Sequence, residues 1–203
     1  MRVCLTDWRA HDIGPGVKSH FLHYWPHAMH DYPDHLVKSR TLRDGTRIVI
    51  RPIRASDAAI EQEFVRGLSE ESRYFRFLEM LRELSPQMLK QLTNIDYHDQ
   101  MALVAVTERD GRETEIAVGR YVVLPDGECC EFAIVVGDDW QRKGIATALM
   151  KSLIESARER GLKKMIGIVL NSNSRMLHFV TGLGFHAKMD PEDRTQMRVT
   201  KEL

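Results

Sequence analysis

The spacing of apolar and polar residues predicts a run of strands from residue 47 onward. Residues 47–53 alternate in polarity and form a short strand that ends at Pro52. Three longer apolar runs follow, at residues 101–107, 115–124 and 128–136. Asp-Gly pairs at 110–111 and 126–127 separate these runs. Because Asp-Gly between apolar runs is the strongest short-range hairpin signal, the three runs are predicted to form an antiparallel meander.

Beyond residue 144 the apolar period changes from that of a strand to that of a helix. One helical face collects the apolar side chains Ile145, Ala148, Leu149, Leu153 and Ala157. Gly161 is the expected end of this helix. A strand at 164–170, a short helix at 173–181 and a strand at 196–203 follow. The strand at 164–170 is parallel to its predecessor if a right-handed crossover joins them, so we predict an α/β fold with a mixed sheet.

Three helix starts are predicted ahead of the meander. Ser56 or Asp57 can cap a helix that runs to about Gly67, and Ser69 can cap a second one. Ser85 followed by proline is the usual start of a third. Tyr74, Phe75, Phe77 and Leu78 in the second helix are interpreted as helix face and core, and a part in shaping the acceptor pocket is the lesser alternative.

The first forty residues follow neither a helical nor a strand period. They hold six of the nine histidines, and His20, His23, His27 and His30 would share one face of an uninterrupted helix. Pro26 interrupts that helix, and no cysteine joins the histidines at the spacing of a zinc site. We therefore predict an arm at 1–40 and one domain at 41–203, without a metal. A metal-responsive protein built on the arm is the weaker alternative.

Composition narrows the classes of function. Twenty-nine Lys and Arg residues balance 29 Asp and Glu residues, which argues against bulk electrostatic binding of nucleic acid or an anionic membrane. No apolar run reaches the roughly 18 residues of a membrane span, and no secretory signal is recognised. Cys4, Cys129 and Cys130 do not form a disulfide framework, so a reducing, cytoplasmic setting is expected.

The segment from Glu131 to Ala146 carries the main chemical signal. A strand runs into a loop, and the loop opens a helix, whose first N–H groups and positive dipole end suit a phosphate or pyrophosphate. Gly144 leaves room for an approaching anion, and Arg142 and Lys143 add positive charge. Neither the P-loop spacing nor the dinucleotide fingerprint is present.

From about Thr41 to Leu203 the chain resembles the GNAT family of acetyl-CoA-dependent N-acetyltransferases. Gln141-Arg-Lys-Gly144-Ile-Ala146 matches the family's [RQ]-x-x-G-x-[GA] loop, and residues 173–185 match its second signature, an Asn followed by Leu-Gly-Phe. Four segments look like the acetyltransferase domain of bacterial protein lysine acetyltransferases: Ile50-Arg-Pro-Ile-Arg54, Ser72-Arg-Tyr-Phe-Arg-Phe77, Asn94-Ile-Asp-Tyr97 and Asp138-Asp-Trp-Gln141. The resemblance implies the GNAT fold.

The resemblance also implies where acetyl-CoA, the cosubstrate, binds. The loop would hold the pyrophosphate, and the strand edge at 135–136 would pair with the pantetheine arm. Asn173 has two alternative roles that the sequence does not distinguish: it would contact that arm, or it would only cap a helix. The residues assigned to the cosubstrate are Val135, Val136, Gln141, Arg142, Lys143, Gly144, Ile145, Ala146, Thr147 and Asn173.

Glu131 is the candidate general base. A lysine amine, with a pKa of about 10.4, is almost wholly protonated at neutral pH, so a base must take its proton. In the family a carboxylate on this strand commonly does this work. Glu131 is flanked by Cys130 and Phe132 in a mostly apolar strand, where desolvation would make the carboxylate more basic. The alternative is an edge-strand glutamate that faces water.

Two further features bear on the reaction. The family often uses a tyrosine to protonate the departing thiolate, and Val180 stands at that position, so no general acid is assigned. Cys129 and Cys130 project to opposite strand faces and have no adjacent histidine. Direct transfer without an acyl-enzyme is therefore expected.

The expected function is transfer of an acetyl group to a primary amine. The closer resemblance favours a protein lysine as acceptor. A small-molecule amine, such as a polyamine or amino acid, is the first alternative. A sensor that binds acetyl-CoA without turnover is the second, since the missing tyrosine permits it. The sequence leaves open the acceptor, the use of longer acyl groups and the formation of a homodimer.

Overall fold

The computed structural model describes residues 31–78 and 80–203, which form a mixed α/β fold around one sheet. Its strands are β1 (Lys38–Thr41), β2 (Arg47–Pro52), β3 (Gln100–Arg109), β4 (Arg112–Val123), β5 (Cys129–Val136), β6 (Lys164–Leu170), β7 (His186–Met189) and β8 (Gln196–Glu202). Their order in the sheet is β1-β2-β3-β4-β5-β6-β8-β7. The predicted fold class is confirmed.

Five α-helices accompany the sheet in this part of the chain: α1 (Ala58–Gly67), α2 (Glu70–Phe77), α3 (Pro86–Thr93), α4 (Ile145–Glu159) and α5 (Ser174–Gly182). The predicted caps of α2 and α3 are confirmed. Ser69 Oγ accepts a hydrogen bond from the Ser72 amide, and Ser85 Oγ accepts one from the Met88 amide, both at 3.2 Å. Such caps satisfy amides that have no partner within the helix.

The central strands pair as the sequence predicts. β3, β4 and β5 form an antiparallel meander, and β6 runs parallel to β5 after the crossover through α4. The two Asp-Gly turns are confirmed, with Gly111 and Gly127 in the left-handed region at φ +74° and +67°. The sequence did not predict β1 and β7, because these four-residue edge strands are mostly polar and exposed.

Apolar side chains pack on both faces of the sheet. One cluster joins the predicted stripe of α4, including Leu149 and Leu153, to Val180 of α5 and the strands beneath. The other joins Phe64 of α1 and Met88 of α3 to the opposite face of β3 and β4. The sheet is therefore covered on both sides at its centre.

Residues just ahead of the predicted domain boundary pack on this fold. Leu36 is 2% exposed and belongs to the core, and β1 pairs with β2. The Tyr32 hydroxyl donates to the Pro52 carbonyl at 3.0 Å. The histidines from His11 to His30 lie outside the described residues, so the arm at 1–40 stays a prediction.

Two kinds of feature are absent from residues 31–78 and 80–203. No helix there is long and apolar enough to cross a membrane. No group of three or more His, Cys, Asp or Glu side chains within residues 31–78 and 80–203 is placed to hold a metal ion.

Candidate active site

The parallel strands β5 and β6 separate after a short ladder. They pair only from Cys129 opposite Lys164 to Glu131 opposite Ile166, although β5 continues to Val136. The other edge of β5 is paired with β4 along almost its whole length. An opening therefore forms at the carboxyl ends of two parallel strands, where open α/β sheets usually bind ligands.

An aromatic ring packs against β6 where the strands diverge. Phe132 is 4% exposed, and its ring centroid lies 5.1 Å from that of Phe185. A Cβ atom at Gly167 of β6 would lie 2.5 Å from the Phe132 ring, so a larger residue would collide with it. Sequence reasoning did not single out Gly167, although a glycine inside an apolar strand often marks such a close approach.

The opening is a cavity of about 380 Å³. Its walls come from β5, β6, α2 and the first turns of α4 and α5. Six of the residues assigned from the sequence line it together: Glu131, Val135, Val136, Gln141, Ala146 and Asn173. The structure thus brings residues that are up to 42 positions apart in the chain, from 131 to 173, to one place.

The loop before α4 has the backbone geometry of an anion site. Arg142 and Gly144 both adopt the left-handed region, at φ +63° and +82°. The Ala148 amide donates to the Gly144 carbonyl at 3.1 Å, which closes the first turn of α4. The amides of that turn have no acceptor within the helix and lie at its positive end. Among the described residues other than 143–145, no atom lies within 4 Å of a Cβ built on Gly144, so a ligand can approach this backbone closely.

The remaining loop residues contribute in different ways. Ile145 is 1% exposed, so its side chain fixes α4 to the core and only its amide can face a ligand. Arg142 is exposed, and Thr147 in the first turn of α4 is half-buried. None of these three is among the described residues that line the cavity.

Lys143 is held by a residue that sequence reasoning did not assign to the site. Its Nζ lies 2.7 Å from Asp44 Oδ2, in the turn between β1 and β2. The same Nζ lies 5.0 Å from the centroid of the Trp140 ring, a cation–π distance. The hydrogen bond from Lys143 is the main reason why the pKa of Asp44 is well below its ordinary value. The positive charge predicted beside the loop is therefore paired with a carboxylate.

Glu131 is buried within the sheet rather than exposed at an edge. It is 9% exposed, lies opposite Val122 of β4, and lines the cavity. β5 is an interior strand with neighbours on both sides. These facts exclude the alternative of a water-facing edge glutamate.

α2 forms a side of the cavity, whereas the sequence interpretation favoured a core helix and kept the pocket as its lesser alternative. No residue of α2 is buried, Tyr74 is 41% exposed, and Phe75 and Leu78 line the cavity. The interpretation of these three as core residues is therefore wrong, because α2 packs over an opening instead of over closed sheet. Phe77 packs partly against the cluster of α1 and α3.

Asp138, in the short turn after β5, holds the N-terminal end of α2. Its carboxylate accepts hydrogen bonds from the Ser69 amide at 2.8 Å, the Ser69 hydroxyl at 3.0 Å and the Ser72 hydroxyl at 2.7 Å. Burial raises the pKa of Asp138, but the bonds from both serines outweigh it and hold this pKa below its ordinary value. One carboxylate thus joins α2 to the loop that leads into α4.

The start of α5 combines a structural and a site position. Asn173 Oδ1 accepts a hydrogen bond from the Met176 amide at 3.1 Å, so Asn173 is an N-cap, and it also lines the cavity. Val180 is fully buried in the core, so a packing residue occupies the position where the family often has a tyrosine. Phe179, its neighbour, lines the cavity.

The two described cysteines are poor nucleophiles. Cys130 is fully buried, and burial raises the pKa of its thiol to about 12. The pKa of Cys129 is also raised, first by burial and then by the hydrogen bond with Asp126. The described residues that line the cavity include neither cysteine. Both thiols would therefore be protonated at neutral pH.

The described geometry agrees with a family comparison. The family model "Acetyltransferase (GNAT) family" matches residues 65–185, which span β5, the loop, α4, β6 and α5. The chain belongs to the GNAT acetyltransferase family. It is accordingly an N-acetyltransferase.

Three proteins illustrate what this chain is similar to. Acetyltransferase PA5475 from Pseudomonas aeruginosa is 39% identical over 164 residues, which are 81% of this chain and 87% of that protein. The crystal structure of the GNAT domain of S. lividans PAT has a TM-score of 0.78 at 30% identity and covers 85% of this chain and all of that one. Spermidine N-acetyltransferase from Vibrio cholerae, in complex with CoA and spermine, shares the fold at 18% identity, with a TM-score of 0.61 over 76% of this chain and 95% of that one.

Proposed function

We propose that this GNAT enzyme transfers an acetyl group from acetyl-CoA directly to a primary amine, and that the amine is a lysine side chain of a protein. The observation that carries the proposal is the cavity between β5 and β6. It places the buried carboxylate of Glu131, the free edge of β5 and the start of α4 in one opening.

Acetyl-CoA fits the residues along this opening. The amides at the start of α4 suit its pyrophosphate, since a helix N-terminus and left-handed loop backbone present several N–H groups to an anion. The unpaired stretch of β5 through Val135 and Val136 offers backbone groups to the amides of a pantetheine arm. Gln141, Ala146 and Asn173 complete the wall, and Arg142 and Lys143 supply positive charge near the loop.

Glu131 would act as the general base. It would take a proton from the acceptor ammonium, directly or through one water, so that the neutral amine can attack the thioester carbonyl. A bond from nitrogen to the acetyl carbon forms, and the bond from that carbon to sulfur breaks, so that CoA leaves as a thiolate. The nitrogen loses its second proton as the amide forms, that proton reaches the thiolate through water, and Glu131 releases the first proton to solvent. The chain supplies the base and the orientation, and acetyl-CoA supplies the activated acetyl group.

Direct transfer is favoured over a covalent acyl-enzyme. An acetyl-cysteine would need an accessible thiolate, and burial raises the pKa of Cys130 to about 12. No tyrosine is proposed as an acid, because Val180 lies in the core. Acetyl-CoA turnover followed by mass analysis of the intact protein should show no stable acetyl adduct on either cysteine.

The choice of acceptor is supported by resemblance. The segments at 50–54, 72–77, 94–97 and 138–141 are similar to those of bacterial protein lysine acetyltransferases, and the GNAT domain of S. lividans PAT covers 85% of the chain. A small-molecule amine is the second candidate. A cytoplasmic setting stays a prediction from the cysteine content.

The deciding experiment measures CoA release by the full chain from acetyl-CoA with two sets of acceptors. One set contains lysine peptides and folded proteins, and the other contains spermidine, spermine and free amino acids. The proposal expects kcat/KM for at least one lysine peptide to exceed that of every small amine by about tenfold or more. A small amine that exceeds all peptides would overturn the choice of acceptor while leaving the acetyltransferase intact.

The CoA-release assay, combined with calorimetry, distinguishes an enzyme from a sensor. Calorimetry on the full chain measures acetyl-CoA binding independently of turnover. Tight binding without CoA release under any amine would show a sensor and would overturn the proposed catalysis. Release that depends on the amine concentration supports the enzyme.

A further inference from the structure

α2 lies beside the face of β5 that carries Glu131. Val135 of β5 packs partly against the cluster of α1 and α3. Because alternate residues of a strand share a face, Glu131, four positions earlier, points to the same side of the sheet as Val135. Phe75 of α2 and Leu78 just after it line the cavity together with Glu131. α2 therefore bounds the space in which an amine would meet Glu131.

α2 runs alongside β5, from the turn after this strand to the level of Glu131. The amino end of the helix is bonded to Asp138 in that turn. At the carboxyl end, Phe77 borders a second, smaller cavity of about 160 Å³ together with Val122 of β4. Val122 lies opposite Glu131 in the sheet. The distance between Glu131 and this end of α2 therefore depends on where the other end is anchored.

α2 has little packing of its own to fix its position. None of its residues is buried, and Phe77 packs only partly against the cluster of α1 and α3. The Arg73 guanidinium donates to the Arg66 and Leu68 carbonyls, in the segment directly before the helix, and so does not join α2 to β5. The bonds to Asp138 are the ones that join the start of the helix to the end of β5.

Asp138 is a strong anchor for α2, because it is fixed relative to the sheet and is ionised. The Gly137 amide donates to the Ile116 carbonyl of β4 at 2.9 Å, and the Trp140 amide donates to the Gly137 carbonyl at 2.8 Å. Although burial raises the pKa of Asp138, the bonds from both serines hold it below its ordinary value. Hydrogen bonds to such an ionised acceptor are about twice as strong as neutral ones.

We propose that Asp138 is a positioning residue for acetyl transfer, which fixes α2 at the distance from Glu131 that the acceptor amine requires. This inference rests on the proposed function, in which Glu131 takes the proton of that amine. The start of α4, where acetyl-CoA would bind, is held by the buried side chain of Ile145. The contact of Asp138 with Gln141 in the preceding loop is a weak one, at 3.4 Å. Loss of Asp138 should therefore impair the reaction with the amine far more than the binding of acetyl-CoA.

The test compares three variants of the full chain. Asp138→Ala removes the anchor. Asp138→Asn removes the charge but keeps an oxygen that can accept from the Ser69 amide and an amide group that can donate to the serine hydroxyls. Asp139→Ala removes the same charge from the exposed neighbouring residue and serves as the control.

Kinetics and calorimetry separate the acceptor from the cosubstrate. With the amine of the acceptor panel that the wild type uses best, Asp138→Ala should lower kcat/KM for that amine about tenfold or more, since a misplacement of about 1 Å can lower a rate about 10²-fold. Its dissociation constant for acetyl-CoA should change by less than about threefold. Asp138→Asn should keep kcat/KM within about threefold of the wild type, because its hydrogen bonds are retained in neutral form. Asp139→Ala should keep it within about twofold.

Three results would overturn the positioning role. Equal losses of kcat/KM in Asp138→Asn and Asp138→Ala would show that only the charge matters. A lower free energy of unfolding for Asp138→Ala with unchanged kcat/KM would show a purely structural role. A loss of acetyl-CoA affinity as large as the loss of kcat/KM would place the effect on the cosubstrate.

Ser72→Ala tests the same anchor from the helix side and does not depend on the folding of Asp138→Ala. It should lower kcat/KM about threefold, the usual contribution of one hydrogen bond. Combined with Asp138→Ala it should add little, because residues that share one contact are not additive. A wild-type kcat/KM in Ser72→Ala, or fully additive losses in the double variant, would refute the anchor.

The activity of the wild type distinguishes failure of this inference from failure of the proposed function. A wild type that releases no CoA with any amine would overturn the proposed function and the role of Asp138 together. An active wild type, with the same kcat/KM in Asp138→Ala and Asp139→Ala, would overturn the role of Asp138 alone.

Discussion

Glu131 and Glu115 are two buried carboxylates on neighbouring strands, and they differ in what they face. Glu131 on β5 is 9% exposed and Glu115 on β4 is 4% exposed. Glu131 lines a cavity of about 380 Å³, whereas Glu115 lies beside Glu61 of α1 and is not among the described residues that line that cavity. Burial alone therefore does not mark a catalytic carboxylate. Burial beside a space that a substrate can enter is what supports the proposed role of Glu131.

The strands that carry the two residues show the same contrast. β4 stays paired with β5 from Ala117 to Val123, and helices cover that part of the sheet as a closed core. β5 leaves β6 directly after Glu131, and the freed edge becomes the wall of the cavity. The site thus begins where the ladder of backbone hydrogen bonds ends.

The largest expected effect is the loss of activity when Glu131 is replaced, which replacement of Glu115 should not cause. Glu131→Gln keeps the shape of the side chain but removes the base, so kcat at neutral pH should fall by about 10²- to 10⁴-fold, the usual contribution of a general base. Steady-state kinetics with acetyl-CoA and the best amine, from pH 6 to 10, measure the loss. The deficit should shrink at high pH, where more of the amine is already neutral.

The control for Glu131→Gln is Glu128→Gln. Glu128 is exposed just before β5 and pairs with Lys163. Its replacement should leave kcat within about twofold of the wild type, because exposed ion pairs contribute little. A kcat for Glu131→Gln close to that of the wild type at every pH would remove the residue from the mechanism.

Local signals in the sequence predicted most of the fold. The Asp-Gly turns, the helix caps at Ser69 and Ser85, and the stripe of α4 act over a few residues, so spacing alone reveals them. The sequence did not predict β1 and β7, because an edge strand does not need an apolar face. Their partners β2 and β8 are close in the chain, but β1 and β7 themselves carry no strand pattern.

The site was predictable only in part. The loop from Gln141 to Ala146 is contiguous, so a motif can describe it. The position of α2 beside the cavity depends on long-range contacts, namely the hydrogen bonds from Ser69 and Ser72 to Asp138. No local sequence pattern predicts these contacts. The separation of β5 from β6 beside Phe132 and Gly167 is likewise a property of packing between strands.

The second prediction tests whether the loop binds the phosphates of acetyl-CoA. Gly144→Ala and Gly127→Ala each place a Cβ at positive φ, and no described atom beyond the adjacent residues lies within 4 Å of it. Both variants should therefore lower the free energy of unfolding by about 1–2 kcal/mol. Gly144→Ala alone also puts a methyl group where the ligand would approach. Its KM for acetyl-CoA should rise about tenfold, and Gly127→Ala should leave KM unchanged. Equal KM values in the two variants would move the phosphate site away from this loop.

The third prediction concerns Glu115 and the dependence of protein stability on pH. Because the pKa of Glu115 is raised in the folded state, the folded protein binds this proton more tightly than the unfolded chain. Wild-type stability should therefore fall as pH rises above the ordinary pKa of glutamate, and Glu115→Gln should escape that loss. Urea unfolding should show the variant about 1–3 kcal/mol more stable at pH 8 and nearly equal to the wild type near pH 4.

The control for this third prediction is Glu108→Gln on the exposed end of β3. It removes the same charge in water and should shift stability little at either pH. Acetyl transfer by Glu115→Gln should stay within about twofold of the wild type, since Glu115 lines neither cavity. A loss of activity comparable to that of Glu131→Gln would show that Glu115 also takes part in catalysis. The proposed difference between the two glutamates would then be wrong.

The smallest expected effect concerns the pairing of Lys143 with Asp44. In the structure this carboxylate competes with any phosphate for Lys143, so Asp44→Asn should lower the dissociation constant for acetyl-CoA by about two- to threefold at low salt. The gain should disappear near 0.5 M salt, where exposed charges are screened within about 5 Å. Asp110→Asn, in the turn between β3 and β4, removes the same charge from a hairpin whose aspartate is not paired with Lys143. Calorimetry measures the dissociation constant of each variant. The same gain in acetyl-CoA affinity for both variants would assign the gain to net charge. A gain in affinity confined to Asp44→Asn would assign it to release of the Lys143 ammonium beside the loop.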